Sequence, residues 1–198
     1  VIEPSNFPNV GYLGLVNSTS VTVKDLTLSK NIQGVMLAYT VNSNIQNVNT
    51  SNNTYGISFY NSSNTFFMNS TLTNDYYGVY TWMSTNNTIT YNILSNDNYG
   101  FYLSRSSANN IRGNALTNIP RGINVYSSNN NTLEGNTVSI SSTYGIYLEA
   151  SNNNSLKGNT VTNSTYGIYL YNSESSVLTN NNMTENKYNF FVEGVSIA

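Results

Sequence analysis

Apolar residues recur along this chain with a period of 22 residues. The period is marked by glycines that precede an apolar residue, at Gly34, Gly56, Gly78, Gly100, Gly122, Gly145 and Gly167. Successive intervals are 22 residues, with a single interval of 23, and one further period in each direction reaches Tyr12 and Asn189. A fixed period of this length is typical of solenoid repeats. We number positions within a repeat from these nine register points, which count as position zero.

Four positions of the repeat are apolar, and they predict short strands. Positions one and eleven are apolar in all repeats, while positions three and sixteen are each polar only once, at Thr81 and Thr50. An amphipathic helix of this length needs about six or seven apolar positions, whereas the alternation of positions one and three is the period of a strand. Leucine-rich repeats have a similar period but carry leucine at many more positions.

Polar positions recur in the same register and predict contacts between successive repeats. Position six is Ser or Thr in eight repeats, and position fourteen is Asn in five, namely Asn92, Asn114, Asn136, Asn159 and Asn181. Parallel coils stack about 4.8 Å apart, so each asparagine can hydrogen-bond to its copy on the next coil. The sequence therefore predicts an all-β fold, a single-stranded right-handed parallel β-helix (a solenoid) of about nine coils, each with three short strands and three turns. We expect residues 1–11 to form a lead-in and residues 12–198 to form the β-helix domain.

The consensus of these repeats resembles a known family. The pattern G-[IV]-x-[LV]-x-x-[ST]-x-x-N-x-[IL]-x-x-N is similar to the parallel β-helix repeat of the carbohydrate-binding and sugar-hydrolase class. Within that class it resembles the NosD-like group, found in archaeal surface-layer and other secreted proteins, from about Tyr12 to Val192. The resemblance implies an extracellular or cell-surface protein. It does not imply one reaction, because the same coil serves lyases, hydrolases, tailspikes and structural scaffolds.

Composition excludes several classes of function. The chain of 198 residues has a formal net charge of −2 and only seven Lys and Arg, which are scattered, so it has no basic patch for nucleic acid. It contains no Cys and no His, which excludes disulfides, thiolate chemistry and histidine-based acid–base catalysis. No apolar run approaches the roughly 20 residues that span a bilayer. We therefore expect no nucleic-acid partner and no membrane span.

The sequence predicts no metal site and no cofactor. The resemblance to NosD-like proteins suggests copper, which binds to clusters of soft ligands. This chain lacks His and Cys, and Met36, Met68, Met83 and Met183 occupy four different repeat positions. Calcium needs several converging oxygen ligands, and the acidic residues are too dispersed to supply them.

Asp75 and Asp97 are the best candidates for a pair of catalytic carboxylates. Both occupy position nineteen, so they should be neighbours on adjacent coils. Polysaccharide-cleaving enzymes use such a pair on an accessible face. No Arg, Lys or third acid shares the position, and Asp at a turn also binds local backbone, so we expect no catalytic residue here.

Arg112, Glu134 and Lys157 share position twelve, which predicts an exposed salt-bridge ladder.

Aromatic residues are concentrated on one predicted strand face. If positions one and three point inward, positions two and four point outward, and these hold eight candidate ligand-binding residues: Tyr60, Tyr80, Trp82, Tyr102, Tyr126, Tyr147, Tyr169 and Tyr171. Sugar rings stack on aromatic faces, and aromatic residues also anchor protein interfaces, while tyrosine is common in strands through its β-propensity alone. A second column directly precedes the glycines and is predicted by parity to lean inward: Tyr55, Tyr77, Tyr99, Tyr144, Tyr166 and Tyr188.

Three functions are compatible with these patterns. The leading hypothesis is a non-enzymatic extracellular scaffold that binds a polysaccharide or other glycan along the aromatic face. The alternatives are self-assembly with neighbouring subunits or domains of the same surface protein, and a polysaccharide hydrolase or lyase that uses Asp75 and Asp97. Ten N-x-[ST] sequons are compatible with a glycoprotein, at Asn17, Asn49, Asn52, Asn61, Asn69, Asn86, Asn130, Asn153, Asn163 and Asn182.

Overall fold

Short β-strands make up the regular secondary structure of the computed structural model, which describes residues 1–6 and 11–194. In chain order the strands are β1 (Leu13–Val16), β2 (Thr22–Lys24), β3 (Thr27–Ser29), β4 (Gln33–Ala38), β5 (Asn44–Gln46), β6 (Asn49–Ser51), β7 (Tyr55–Tyr60), β8 (Phe66–Met68), β9 (Thr71–Thr73), β10 (Tyr77–Trp82), β11 (Thr88–Thr90), β12 (Ile93–Ser95), β13 (Tyr99–Ser104), β14 (Asn110–Arg112), β15 (Ala115–Thr117), β16 (Arg121–Tyr126), β17 (Thr132–Glu134), β18 (Thr137–Ser139), β19 (Tyr144–Glu149), β20 (Ser155–Lys157), β21 (Thr160–Thr162), β22 (Tyr166–Tyr171), β23 (Val177–Thr179), β24 (Asn182–Thr184) and β25 (Tyr188–Glu193).

The strands form three parallel sheets, because every third strand pairs with its copy on the next coil. The nine-stranded sheet, here called the front sheet, has the order β1-β4-β7-β10-β13-β16-β19-β22-β25, and the other two sheets have eight strands each. In the front sheet Ile57 pairs with Val79, and Val79 pairs with Phe101. This register confirms the predicted parallel β-helix, and the number of coils is close to the predicted nine. Residues 7–10 of the predicted lead-in and 195–198 of the predicted domain lie outside the described residues.

The core is a set of apolar columns that run along the helix axis. Positions one, three, eleven and sixteen point inward as predicted, and Ile57, Phe59, Phe67 and Leu72 of one coil are completely buried. Side chains at each of these positions lie above their copies, so every coil buries apolar area against two neighbours. Phe190 on β25 is half exposed because only one neighbouring coil covers it.

Each coil turns at four corners rather than the three that the sequence predicted. Every corner contains a residue in the left-handed backbone region, and in one coil these are Asn61, Asn64, Asn69 and Asn74, with φ between 46° and 57°. Asparagine is the residue after glycine that best tolerates this conformation. The corners therefore account for much of the asparagine, and eight of the ten sequon asparagines occupy such positions: Asn17, Asn52, Asn61, Asn69, Asn86, Asn130, Asn153 and Asn163.

At most corners the residue after the left-handed residue points inward and receives a hydrogen bond from the preceding coil, whereas apolar residues such as Val48 and Ile119 occupy this place at others. The backbone N–H of Ser62 donates to Oγ of Ser84 at 3.0 Å, and the corresponding N–H of Ser70 donates to Oδ1 of Asn92 at 3.0 Å. Such ladders occur at positions six, nine, fourteen and nineteen, and the ladder at position nineteen is interrupted at Ile119. They satisfy backbone donors that would otherwise be buried without a partner at the corners, which would cost stability.

The predicted asparagine ladder at position fourteen is confirmed. Nδ2 of Asn92 donates to Oδ1 of Asn114 at 3.1 Å, and Nδ2 of Asn114 donates to Oδ1 of Asn136 at 3.0 Å. The ladder continues in the same way to Asn159 and Asn181. Each amide group is thus both a donor and an acceptor along the axis, as in stacked parallel strands.

The segment before the first coil is attached to it. Ile2 forms a parallel bridge with Val23, and Nζ of Lys24 lies 2.6 Å from a carboxylate oxygen of Glu3. Within residues 1–6 and 11–194, no helix has the length and hydropathy needed to cross a membrane.

Candidate functional site

The outward side of the front sheet carries three aromatic columns, not the two that the sequence predicted. The inward lean predicted for the tyrosines before the glycines is wrong: Tyr77, for example, is partly exposed and stacks on Tyr55 and Tyr99 outside the helix. The reason is that glycine and the next residue both face inward, as Gly78 and Val79 do. A Cβ added to Gly78 would lie 2.7 Å from the Leu94 side chain. The alternation of inward and outward side chains along the strand therefore restarts at each glycine.

The first aromatic cluster, which we call the N-terminal aromatic cluster, covers β7, β10 and β13. It consists of Tyr55, Tyr60, Tyr76, Tyr77, Tyr80, Trp82, Tyr99 and Tyr102. The rings of Tyr80 and Tyr102 are parallel with centroids 5.8 Å apart, and Trp82 contacts Tyr60 at 6.5 Å. These distances lie in the range of favourable aromatic pairs, so the rings hold one another in position.

The second cluster, the C-terminal aromatic cluster, covers β19, β22 and β25. It consists of Tyr144, Tyr147, Tyr166, Tyr169, Tyr171, Tyr188 and Phe191. The hydroxyl of Tyr169 donates to a carboxylate oxygen of Glu193 at 2.6 Å. This contact fixes the ring orientation at the edge of the cluster.

The eight candidate residues from the sequence all lie on the outward side of the front sheet and are partly or largely exposed. Four belong to the N-terminal aromatic cluster, three belong to the C-terminal aromatic cluster, and Tyr126 lies between them on β16. Sequence reasoning missed the column that precedes the glycines and Phe191. For the column, the signal that could have found it is the glycine itself, because a repeated glycine in a strand often marks a break in regular alternation. For Phe191 the signal is the repeat, because Phe191 occupies position two after Asn189 and pairs with Tyr169.

The strand β16 interrupts the aromatic columns. Where the neighbouring coils have Tyr99 and Tyr144, β16 has Arg121, and where they have Tyr102 and Tyr147, it has Asn124. Asn124 is only 6% exposed, and its Oδ1 has no hydrogen-bond partner. The guanidinium carbon of Arg121 lies 4.8 Å from the centre of the Tyr99 ring, a cation–π contact.

Several tyrosine hydroxyl groups of this face have a pKa raised above the usual range. Burial against neighbouring rings raises the pKa of Tyr77 to about 12. Burial and the nearby Glu149 carboxylate raise the pKa of Tyr147, and burial and Glu193 raise that of Tyr169. These protonated hydroxyl groups can both donate and accept hydrogen bonds.

The candidate carboxylate pair is not on an outer face. Asp75 and Asp97 lie on adjacent coils as predicted, but they are only 2% and 1% exposed. Both belong to the inward ladder at position nineteen, where Asp97 Oδ1 accepts the backbone N–H of Asp75 at 2.7 Å and Oδ2 has no partner. Burial raises the pKa of Asp97 to about 8. A substrate on the surface cannot reach either carboxyl group without an opening of the coil.

Two surface concavities outside the front sheet carry no paired catalytic acid. One, of about 330 Å³, is lined by the predicted salt-bridge ladder, in which Glu134 lies 3.9 Å from Arg112 and 3.3 Å from Lys157. The other, of about 640 Å³, is lined by Ser, Thr, Asn and Val residues with Phe66 and Met68. Among the described residues, no group of three or more His, Cys, Asp or Glu side chains is arranged to hold a metal ion.

Comparison with protein families matches nearly the whole chain to one family. The family described as periplasmic copper-binding protein (NosD) matches residues 5–119 and 99–197. The chain belongs to the NosD family. A comparison with curated protein sequences finds no match.

The copper named in the NosD family description does not fit the residues of this chain. The only soft side chains are methionines, since the sequence has no His and no Cys. Met36 lies on β4, Met68 on β8 and Met183 on β24, which belong to three different sheets, and Met83 is an exposed corner residue. These sulfur atoms do not converge on one site.

Solved structures with the same fold have diverse names. The A-module of the mannuronan C-5 epimerase AlgE6 of Azotobacter vinelandii matches with a TM-score of 0.70 at 17% identity, over 85% of this chain and 51% of that module. An alginate lyase of Paenibacillus sp. matches with a TM-score of 0.62 at 11% identity, over 98% of this chain and 97% of the lyase. The surface protein and adhesin PfbA of Streptococcus pneumoniae matches with a TM-score of 0.62 at 13% identity, over 91% of this chain and 68% of that protein. The chain thus spans about half the length of the epimerase module, and these likenesses show the fold.

Proposed function

We propose that this NosD-family chain is a non-enzymatic binding module that holds a polysaccharide along the outward side of its front sheet. The observation that carries the proposal is the pair of aromatic clusters, whose rings stack in coil-to-coil register on a partly exposed surface. Aromatic rings with nearby amide and hydroxyl groups are the chemistry that sugar rings recognise. Coils repeat about every 4.8 Å, a spacing close to the length of one pyranose residue.

The positions of the acidic residues disfavour the hydrolase or lyase alternative. A catalytic pair of carboxylates must reach the glycosidic bond, and both Asp75 and Asp97 are buried in an inward ladder. On the strands of the front sheet, the described acidic residues are Glu149 on β19 and Glu193 on β25, which are two coils apart. We therefore assign these carboxylates no catalytic role.

The polysaccharide bound by this module is proposed to be extracellular. The description of the family as periplasmic and the presence of an adhesin among the structural neighbours support a location outside the cytoplasm. Epimerases and lyases of alginate among those neighbours support a polysaccharide as the ligand.

Titration of the protein with soluble polysaccharides, followed by calorimetry, tests the proposal. We expect saturable binding to at least one polymer and no shortening of it, as measured by size-exclusion chromatography of the polymer. Sedimentation of the protein alone tests the competing use of this face, namely self-assembly. Concentration-dependent association without binding of any polysaccharide would favour self-assembly and contradict the proposal.

A further inference from the structure

The strand β16 forms a polar recess between the two aromatic clusters. We define the β16 recess by Arg121 and Asn124, with Tyr102 on the preceding coil and Tyr147 on the following coil as its walls. At the coil spacing of a parallel β-helix, these two walls are about 10 Å apart. Asn124 is buried because a short side chain lies between two large ones, so it forms the floor of the recess.

The recess contains polar groups that the fold leaves unused. Oδ1 of Asn124 has no hydrogen-bond partner although the residue is more than nine-tenths buried. Buried polar groups are normally paired, so the unpaired amide between the Tyr102 and Tyr147 side chains is a candidate contact for a ligand that enters between them. A rotation of the amide by 180° would exchange its oxygen for its nitrogen and present either a donor or an acceptor to that ligand.

Arg121 gives the recess a positive charge. It is the only Lys or Arg residue on the nine strands of the front sheet, as their described sequences show. Its flat face packs on Tyr99, which leaves the in-plane N–H groups at its edge available to an anion. The salt bridges found in the described part of the chain involve Lys24, Arg112 and Lys157, and none involves Arg121.

Glu149 makes the two ends of the recess differ in charge. It lies in register with Tyr126, at the opposite end of the strand from Arg121, and its carboxylate lies close enough to Tyr147 and Tyr102, the two walls of the recess, to raise the pKa of both. A negatively charged group in the recess is attracted toward Arg121 and repelled from Glu149, whereas hydroxyl donors are favoured near Glu149.

We propose that the β16 recess is a subsite for the carboxylate group of an acidic sugar residue, with Arg121 and Asn124 as its ligands. This inference rests on the proposed polysaccharide-binding function and adds the chemical class of the ligand. The aromatic clusters hold the neighbouring sugar rings on either side, and the carboxylate takes the N–H donors of Arg121 and the amide of Asn124, which sets the register of the polymer on the sheet.

Calorimetry with paired oligosaccharides tests the subsite. The probes are an oligogalacturonate, an oligomannuronate and the carboxyl-reduced, neutral form of each, titrated into the full chain at low and moderate salt. We expect at least one acidic probe to bind roughly tenfold more tightly than its neutral form. Arg121→Gln should abolish this preference, because it weakens binding of the acidic form much more than binding of the neutral form. Arg105→Gln, a matched loss of charge at an exposed corner after β13, should leave the preference intact.

A second variant tests the recess without removing the charge. Asn124→Tyr places in the recess the residue that occupies the same position on both neighbouring coils, so the fold should be retained, as checked by circular dichroism and thermal melting. We expect this variant to lose the preference for the acidic form. Equal affinities of the wild type for acidic and neutral forms would overturn the subsite but leave the proposed function intact. If the wild type binds neither form, both the subsite and the proposed function are overturned. If Arg121→Gln loses affinity for the acidic and the neutral form equally, Arg121 only packs on Tyr99 and the subsite is overturned.

Discussion

The backbone N–H of Asp75 donates to Oδ1 of Asp97 at 2.7 Å, and Oδ2 of Asp97 is buried without a partner. Asp75 itself accepts three hydrogen bonds, from the hydroxyl of Thr50 and from the backbone and side-chain N–H groups of Asn53. Two neighbouring carboxyl groups thus have different environments, because one is surrounded by donors and the other receives only one. This difference makes the ladder at position nineteen sensitive to pH.

We predict that the protein becomes less stable as the pH rises from about 4 to about 8. The pKa of Asp97 is raised from 3.8 to about 8 by burial. Between these values the folded chain holds a proton that the unfolded chain has lost, so the free energy of unfolding falls with rising pH and levels off above about 8. Urea unfolding at several pH values measures this dependence.

The variant Asp97→Asn isolates the contribution of this group. Asparagine occupies the same ladder position at Asn53 and cannot ionise. We expect the variant to match the wild type near pH 4 and to be more stable by several kcal/mol near pH 8, since each unit of pKa shift corresponds to about 1.4 kcal/mol. It should also bind polysaccharide as the wild type does. An unchanged slope of stability against pH, or loss of a polysaccharide-cleaving activity in this variant, would refute our interpretation of Asp97.

The asparagine ladder should be a major source of stability. Asn136→Ala removes the acceptor for the backbone and side-chain N–H groups of Asn114 and the donor to the carbonyl oxygen of Ile111. Because these groups are buried, we expect a loss of about 3 kcal/mol in the free energy of unfolding. Asn136→Ser should recover part of it, since Ser70 at the equivalent position accepts the N–H of Val48. Equal stabilities of the two variants would argue against the ladder.

The register glycines should not tolerate a side chain. In Gly78→Ala the new Cβ would lie 2.7 Å from both Oδ2 of Asp97 and the Leu94 side chain, and we expect a loss of at least 2 kcal/mol. Gly135 provides the control because it is a corner residue with φ of 62° and open space around it. Gly135→Asn should be nearly neutral, as asparagine tolerates this backbone region. Thermal melting of the two variants makes the comparison, and a similar loss in both would contradict it.

Trp82 should dominate binding on the N-terminal aromatic cluster. It is half-buried, it contacts Tyr60, and its ring lies outside the core. Trp82→Ala should weaken polysaccharide binding by about 2 kcal/mol, the magnitude of an aromatic hot spot, with little change in melting temperature. Phe66→Ala removes an aromatic ring that is 50% exposed on a different sheet and should have no effect on binding. Equal affinities of the wild type and Trp82→Ala would place the ligand elsewhere.

The fold could be predicted from the sequence because one repeat contains all its determinants. The inward columns at positions one, three, eleven and sixteen, and the ladder at fourteen, each depend on residues that recur in register. The consensus contains the asparagine of position nine, but a ladder was not predicted there because Ser43 and Thr65 precede Asn87 at this position. These three side chains share an oxygen acceptor, so hydrogen-bonding capacity is repeated where residue identity is not.

The functional face could be predicted only in part. Strict alternation placed Tyr80 and Trp82 outside correctly, but it placed Tyr77 inside, because alternation does not continue through a glycine whose missing side chain faces the interior. The burial of Asp75 and Asp97 was likewise missed. Their position in the repeat is clear from the sequence, but the direction of a corner side chain depends on the left-handed residue before it, which is Asn74 for Asp75 and Asn96 for Asp97.

The corner ladders also have a consequence for how such a chain can evolve. Each repeat donates its corner N–H groups to the repeat after it and accepts those of the repeat before it, so a repeat carries both halves of every ladder contact. Tandem duplication of residues 145–166, for example, would insert one coil and keep these contacts complementary. It would also add one tyrosine-bearing strand to the front sheet and lengthen the ligand footprint by one coil. Unequal recombination between repeats is thus a direct genetic route to longer or shorter binding sites.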